Sequence, residues 1–185
     1  MTGTKFLTME ELEAGLEAIR QSPKDQGLLE LIVRRPATDE RELLVEGQLD
    51  LVEGLVGDDW MRRGSSGTPD GSSHPDMQLT IMNSRAIALI TQDKARWPLA
   101  GDQLYIDMDL SVDNLRPGTR LALGTAVIEV TAQPHTGCKK FSSRFGLDAL
   151  KFVNSPTGKQ LHLRGINARV VQTGQIRVGD LAKKI

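Results

Sequence analysis

From Leu28 onward the chain is cut into short runs of aliphatic residues, each closed within a few positions by glycine, proline or a polar turn. Few stretches are long enough for a substantial helix. Many short strands must cover their edges, and a β-barrel or sandwich does this best. The predicted strands are Leu28–Val33, Glu42–Leu51, Met77–Met82, Gln103–Met108, Thr119–Leu123, Ala126–Ala132, Leu161–Gln172 and Gln175–Val178. Pro36 to Asp39 turns the first pair into a hairpin, in which Leu29, Leu31 and Val33 alternate imperfectly. Thr173-Gly174 is expected to join the last pair as a closing hairpin.

Helices are expected at the margins. Thr8 and Glu11 have capping-box spacing, and Leu12, Leu16 and Ile19 form one stripe, which predicts a helix over Thr8–Gln21. Asn83 or Ser84 caps a short helix, Arg85–Thr91, and one or two turns are expected over Phe145–Asn154. Gly64 to Asp76 reads as a loop carrying His74. Neither a repeat nor a linker divides the chain, so residues 1–185 are expected to form one mainly β domain. The helix and hairpin of 8–51 belong to the barrel or are appended to it. With only 2 Trp, 1 Tyr and 4 Phe, the core must be mainly aliphatic.

The formal charge of −1 hides a gradient along the chain. Residues 1–60 hold 6 Lys/Arg against 14 Asp/Glu, whereas 139–185 hold 10 against 2. A basic C-terminal stretch favours an anionic ligand, although the two ends can equally pair with each other in the fold. Polymeric nucleic acid is disfavoured by the pI near 6.3 and the scarcity of aromatic rings. No apolar run has membrane-span length, and Met1–Leu7 lacks a signal-peptide core. With one unpaired cysteine, these features point to the cytoplasm.

That cysteine, Cys138, lies in Gln133-Pro134-His135-Thr136-Gly137-Cys138-Lys139-Lys140-Phe141, with Arg144 close behind. Thiols react and bind metal as thiolates, a form that nearby cations favour. A lone cysteine permits neither an internal disulfide nor a many-thiolate zinc site. Packing as a small apolar residue is the alternative of equal weight. Phosphate-loop, HExxH and nucleophile-elbow motifs are absent.

The C-terminal half carries an ordered set of elements. Gly101-Asp102-Gln103-Leu104 is followed by Asp109-Leu110-Ser111, Asn114-Leu115 and Pro117-Gly118-Thr119-Arg120-Leu121. Gly124 to Thr131, Gly137-Cys138-Lys139, Arg164 to Val170 and Val178-Gly179-Asp180 complete it. This order resembles the MOSC domain, named for the C-terminal domain of molybdenum-cofactor sulfurases, most clearly over residues 101–181. The resemblance implies a β-barrel with a few peripheral helices and a site at Cys138. There the cysteine carries sulfur as a persulfide or ligates molybdenum in the pterin cofactor. A soft thiolate suits such a metal, and molybdopterin brings its own sulfurs, so one cysteine suffices. Lys139, Lys140, Arg144 and Arg164 are candidate anion contacts, and Asn167 an orienting amide within the Gly165–Asn167 stretch. Gly137 is assigned to loop shape, and His135 to tuning the thiol. Pyridoxal phosphate enters only as a family association, through a separate aminotransferase-like domain of fused members.

Two departures from the family pattern stand out. Ser72-Ser73-His74-Pro75-Asp76 replaces a common His-Gly-Gly element, and His135-Thr136-Gly137 replaces arginine and proline before the cysteine. The implied partners are a small-molecule cofactor or substrate and either a cysteine desulfurase or an electron-transfer protein. The implied chemistry is sulfur transfer or molybdenum-dependent reduction of N-hydroxylated compounds. An anion- or partner-binding module without catalysis and a thiol redox sensor are the competing readings.

Overall fold

The computed structural model describes residues 5–185, so the first four residues of the Met1–Leu7 segment lie outside it. Strand β1 (Gln26–Arg34) is the organising element. It pairs with β6 (Leu104–Asp107) on one edge. On the other edge it pairs first with β11 (Leu181–Lys184) and then with β2 (Glu42–Leu44). From β6 the sheet continues through β5 (Leu79–Asn83), β9 (Ile166–Gln172), β8 (Ala126–Val130) and β7 (Arg120–Leu123) to β11. The β11–β1 pairing closes a seven-strand barrel, and β2 is an extra strand at its edge. Closure removes the exposed edges that short strands otherwise leave.

Imperfect alternation in β1 has a structural cause. The register against β6 shifts between Leu29 and Leu31, so Leu29 faces Ile106 while Leu31 faces Tyr105. Leu29, Ile32 and Ile106 point into an aliphatic barrel core, whereas Val33 and Tyr105 join a second core outside it. Strand β1 is thus covered on both faces, which is why its sequence reads as a nearly continuous apolar run. Aromatic rings are absent from the barrel core; Trp97, Tyr105, Phe141, Phe145 and Phe152 all sit in the outer one.

The outer core is roofed by helices. The predicted Thr8–Gln21 helix forms as α1 (Met9–Ala14) and α2 (Leu16–Arg20), broken at Gly15. The Thr8 capping box is present, and Leu12 and Ile19 are buried. Following α3 (Trp60–Arg63), helix α4 (Ser84–Thr91), capped by Asn83, and a 3-10 segment at Lys94–Ala100 make the crossover between the parallel strands β5 and β6. The C-terminal helical part is larger than expected. Helices α5 (Lys139–Phe145), α6 (Leu147–Asn154) and α7 (Pro156–Gln160) replace one or two turns. Each is too short to persist alone; buried Phe141, Phe145, Phe152 and Val153 hold them by tertiary packing.

The expected closing hairpin does not form. Strand β10 (Gly174–Arg177) leaves β9 and pairs with β3 (Glu46–Asp50), which also pairs with β4 (Gly54–Leu55) in a small second sheet. The cause lies at Thr125. Its N–H donates to the Gln175 carbonyl at 3.0 Å, and its hydroxyl accepts from the Gln175 N–H at 2.8 Å. Those bonds draw the chain over the β7–β8 turn and away from β9. Residues 161–164 form turns instead of extending β9. None of the helices among the described residues is long and apolar enough to cross a membrane.

Candidate functional site

An extended strap, residues 131–138, leads from the end of β8 to the start of α5 and delivers Cys138 to the surface. Two clamps fix its path. The Asn167 amide, fully buried on β9, donates to the carbonyls of Gln133 and Pro134 at 3.1 and 3.3 Å. Asn154 on α6 accepts from the Gly137 N–H at 2.9 Å and donates to its carbonyl at 3.1 Å. A Cβ at Gly137 would lie 2.8 Å from a Leu150 methyl and 2.9 Å from a Val153 methyl, so glycine lets the strap lie close against α6. Gly137, expected to set loop shape, and Asn167, expected as an orienting amide, both brace the strap.

Cys138 is exposed and lines a cleft of about 170 Å³. Lys140, Arg144 and Arg164 share that wall, whereas Lys139 lies exposed on α5 outside it. Arg35, Arg41 and Arg63, which nothing local to the cysteine announces, complete a ring of six cations. Only Asp39 and Asp59 face them from the same lining. The ring continues into an adjoining chamber of about 340 Å³, which shares Arg35, Arg63, Gly101 and Arg164 and adds His74 and His135.

These cations differ in their commitments. Arg35 is buried and saturated, holding Asp58 through a two-point fork at 3.0 and 2.7 Å and the Gly101 carbonyl at 2.9 Å. Arg144 donates to Asp39 at 2.9 Å, with Lys140 3.9 Å from the same carboxylate, so the acidic and basic ends of the chain do meet here. Arg63 lies 3.4 Å from Asp59 Oδ1, which has no hydrogen bond of its own. Arg41 binds only carbonyls, those of Pro98 and Glu40. Burial lowers the pKa of both Arg41 and Arg63; repulsion adds to this, from Arg144 and Arg35 at Arg41 and from Arg35 at Arg63. Such crowding is relieved when an anion enters.

Behind the cleft, Arg164, Asp102 and His135 form a buried chain. Arg164 donates to Asp102 at 2.6 Å and to the Ala100 carbonyl at 2.8 Å, while its Nε has no partner. Its guanidinium lies 5.1 Å from the Phe141 ring centre. His135 Nε2 lies 2.8 Å from the other Asp102 oxygen. Burial pushes the Asp102 carboxyl up, but Arg164 and His135 outweigh it and hold it below its ordinary 3.8. Burial, reinforced by Arg164, holds His135 below 6.5 despite Asp102. The imidazole is therefore neutral near pH 7, with its proton on Nε2.

A stability profile follows from these directions. The unfolded chain takes up the His135 proton at a higher pH than the folded one, so stability is complete above 6.5 and falls below it. We expect a slope of at most about 1.4 kcal/mol per pH unit, until the folded-state pKa is reached. Asp102 adds a second loss only below 3.8. Urea titrations between pH 7 and about pH 5 should show the first slope in the wild type and its disappearance in His135→Gln. An unchanged slope in that variant would place the titration elsewhere.

A closed β-barrel with one exposed cysteine in a cationic cleft defines the class of this protein. The MOSC domain family model matches residues 70–183, and the chain belongs to that family. Solved structures agree on the fold. The YuaD protein from Bacillus subtilis superposes with a TM-score of 0.60 at 16% identity, over 86% of this chain and 95% of its own. YiiM from Escherichia coli gives 0.55 at 21%, over 85% and 69%, and YiiM from Geobacillus stearothermophilus gives 0.54 at 16%, over 89% and 74%. No curated protein matches the sequence.

Proposed function

We propose that this MOSC domain binds the molybdenum cofactor in the cleft, with Cys138 as the protein's sulfur ligand. The observation that carries this reading is the meeting of one exposed thiol with six cations in a single lining. The adjoining chamber of about 340 Å³ is of the size that small-molecule sites have, and the Cys138 cleft extends it. The donor set fits as well: a soft sulfur for the metal and guanidinium forks for phosphate. Arg41, Arg63 and Lys140 are the cations with donors to spare, and Arg164 lines the cleft as well. When bound, such a cofactor supplies two-electron redox chemistry. The chain's part is to hold the anionic end and present the thiol, with a neutral His135 in the wall of the adjoining chamber.

Sulfur relay is the second reading, favoured by the exposure of Cys138 to a protein donor. In that step the Cys138 sulfur attacks the terminal sulfur of a donor persulfide. The donor's S–S bond breaks, the donor leaves as a thiolate, and Cys138 carries the new S–S bond.

Elemental and mass analysis of freshly isolated protein tests both. Stoichiometric molybdenum, lost in Cys138→Ser, is expected for the first reading. Cyanide-releasable sulfur without metal marks the second. Absence of both, together with slow alkylation of the native thiol, would overturn the assignment and leave a binding module without catalysis.

A further inference from the structure

A third chamber, of about 450 Å³, opens beside the strap and is walled by the barrel rim and helices α6 and α7. Its lining is mainly apolar, with Val112, Leu115, Pro117, Val130, Val153 and Ile166 contributing. No aspartate or glutamate lines it, and its volume is that of small-molecule sites rather than of packing defects. His135 and Arg164 belong to this wall and to that of the 340 Å³ chamber alike. The strap is thus a partition, with the buried Arg164–Asp102–His135 chain built into it.

His135 has one nitrogen left over. Asp102 engages Nε2, and the adjacent Cδ2 edge of the ring packs over Gly165, where a Cβ would come within 3.1 Å of it. A carboxylate only accepts, so Nε2 carries the proton and Nδ1 carries the lone pair. Nδ1 has no hydrogen-bond partner among the described residues and is not sealed from solvent. An acceptor in a mainly apolar wall is a strong selector, because leaving it unpaired on ligand binding is penalised.

We propose that this chamber binds a neutral, mainly apolar small molecule carrying one N–H or O–H group, and that His135 Nδ1 accepts that hydrogen. Cations are excluded by Arg164 and Lys159, the charged side chains of the lining. An anionic carboxylate head, having no hydrogen to give, leaves the His135 lone pair unpaired. The inference does not depend on what Cys138 holds, so its failure and that of the cofactor reading are separable.

Indole is a suitable probe, with 1-methylindole as the same body without the donor and benzoate as an anion. The full chain, labelled at the methyls of Ile, Leu and Val, is titrated with each by NMR. Indole is expected to give saturable shifts at Leu115, Val153 and Ile166 below about 10 mM, the range for a fragment of this size. 1-Methylindole should bind about tenfold more weakly, and benzoate more weakly than indole. Val112→Trp, at a rim position 45% exposed and therefore tolerant of the change, should weaken both indoles. His135→Phe should make the two indoles bind alike. If His135→Phe does not fold, the wild-type comparison and Val112→Trp still decide the matter. Absence of saturable shifts, equal affinity of the two indoles for the wild type, or indifference to Val112→Trp would each overturn the proposal.

Discussion

Replacing Asp102 with alanine is expected to destabilise the fold by about 3–5 kcal/mol, because it strands a charge in the interior. Asp102 is fully buried, and Arg164 is only 7% exposed. Remove the carboxylate and the guanidinium keeps only the Ala100 carbonyl and the face of Phe141. Nε is already without a partner, so the loss adds to an unsatisfied buried donor. His135 loses its partner in the same change. In a chain of this length the melting temperature should fall by about 6–20 °C. Asp102→Ala combined with Arg164→Met should recover part of the loss, since the uncompensated charge is then gone. Urea unfolding followed by two probes measures both variants. A loss below about 1 kcal/mol in the single variant would mean that Arg164 is solvated from the cleft.

Gly165→Ala is the second change with a large expected effect. Gly165 has φ of +116°, and a Cβ there would sit 2.3 Å from the Ile81 carbonyl oxygen. That oxygen belongs to β5, whose Ile81 pairs with Ile166 on β9 and Leu104 on β6. It cannot move without opening the barrel wall. Strained backbone and clash together are expected to cost about 2–4 kcal/mol. Gly118→Ala separates the two contributions. Gly118 also has positive φ, +90°, but open space around its Cβ, so only the conformational penalty of about 1–2 kcal/mol is expected. Equal losses in the two variants would show that β5 yields to the added methyl. Gly165→Ala should also displace His135, whose Cδ2 would lie 3.1 Å from the new atom, and so blunt discrimination between indole and 1-methylindole.

The site shows two degrees of legibility. Cys138, Lys140 and Arg144 share a wall because they share one short helix and its cap, and such proximity is visible in the order of residues. Lys139 is their neighbour in sequence but faces solvent, because a helix turns each successive side chain by about 100°. Arg35, Arg41 and Arg63 come from the ends of β1, the turn after it and α3, and reach Cys138 only through barrel closure. Asp102 was present in the family-like order of residues, but its task as partner of Arg164 depends on a contact spanning 62 positions.

Local chemistry along the chain was enough to indicate a strand-rich, aliphatic barrel or sandwich, the capped helices starting at Thr8 and at Asn83 or Ser84, and the cysteine as centre of interest. Each rests on interactions within a few residues, where backbone preference and side-chain period act directly. Folding alone decided that β10 abandons β9 for β3, that three short helices form over 139–160, and that Asn167 and Asn154 clamp the strap. Those outcomes depend on which distant surfaces bury each other, and no local pattern records that competition. The cationic ring has the same origin: charges far apart in the chain are gathered because the barrel, once closed, leaves them one common opening.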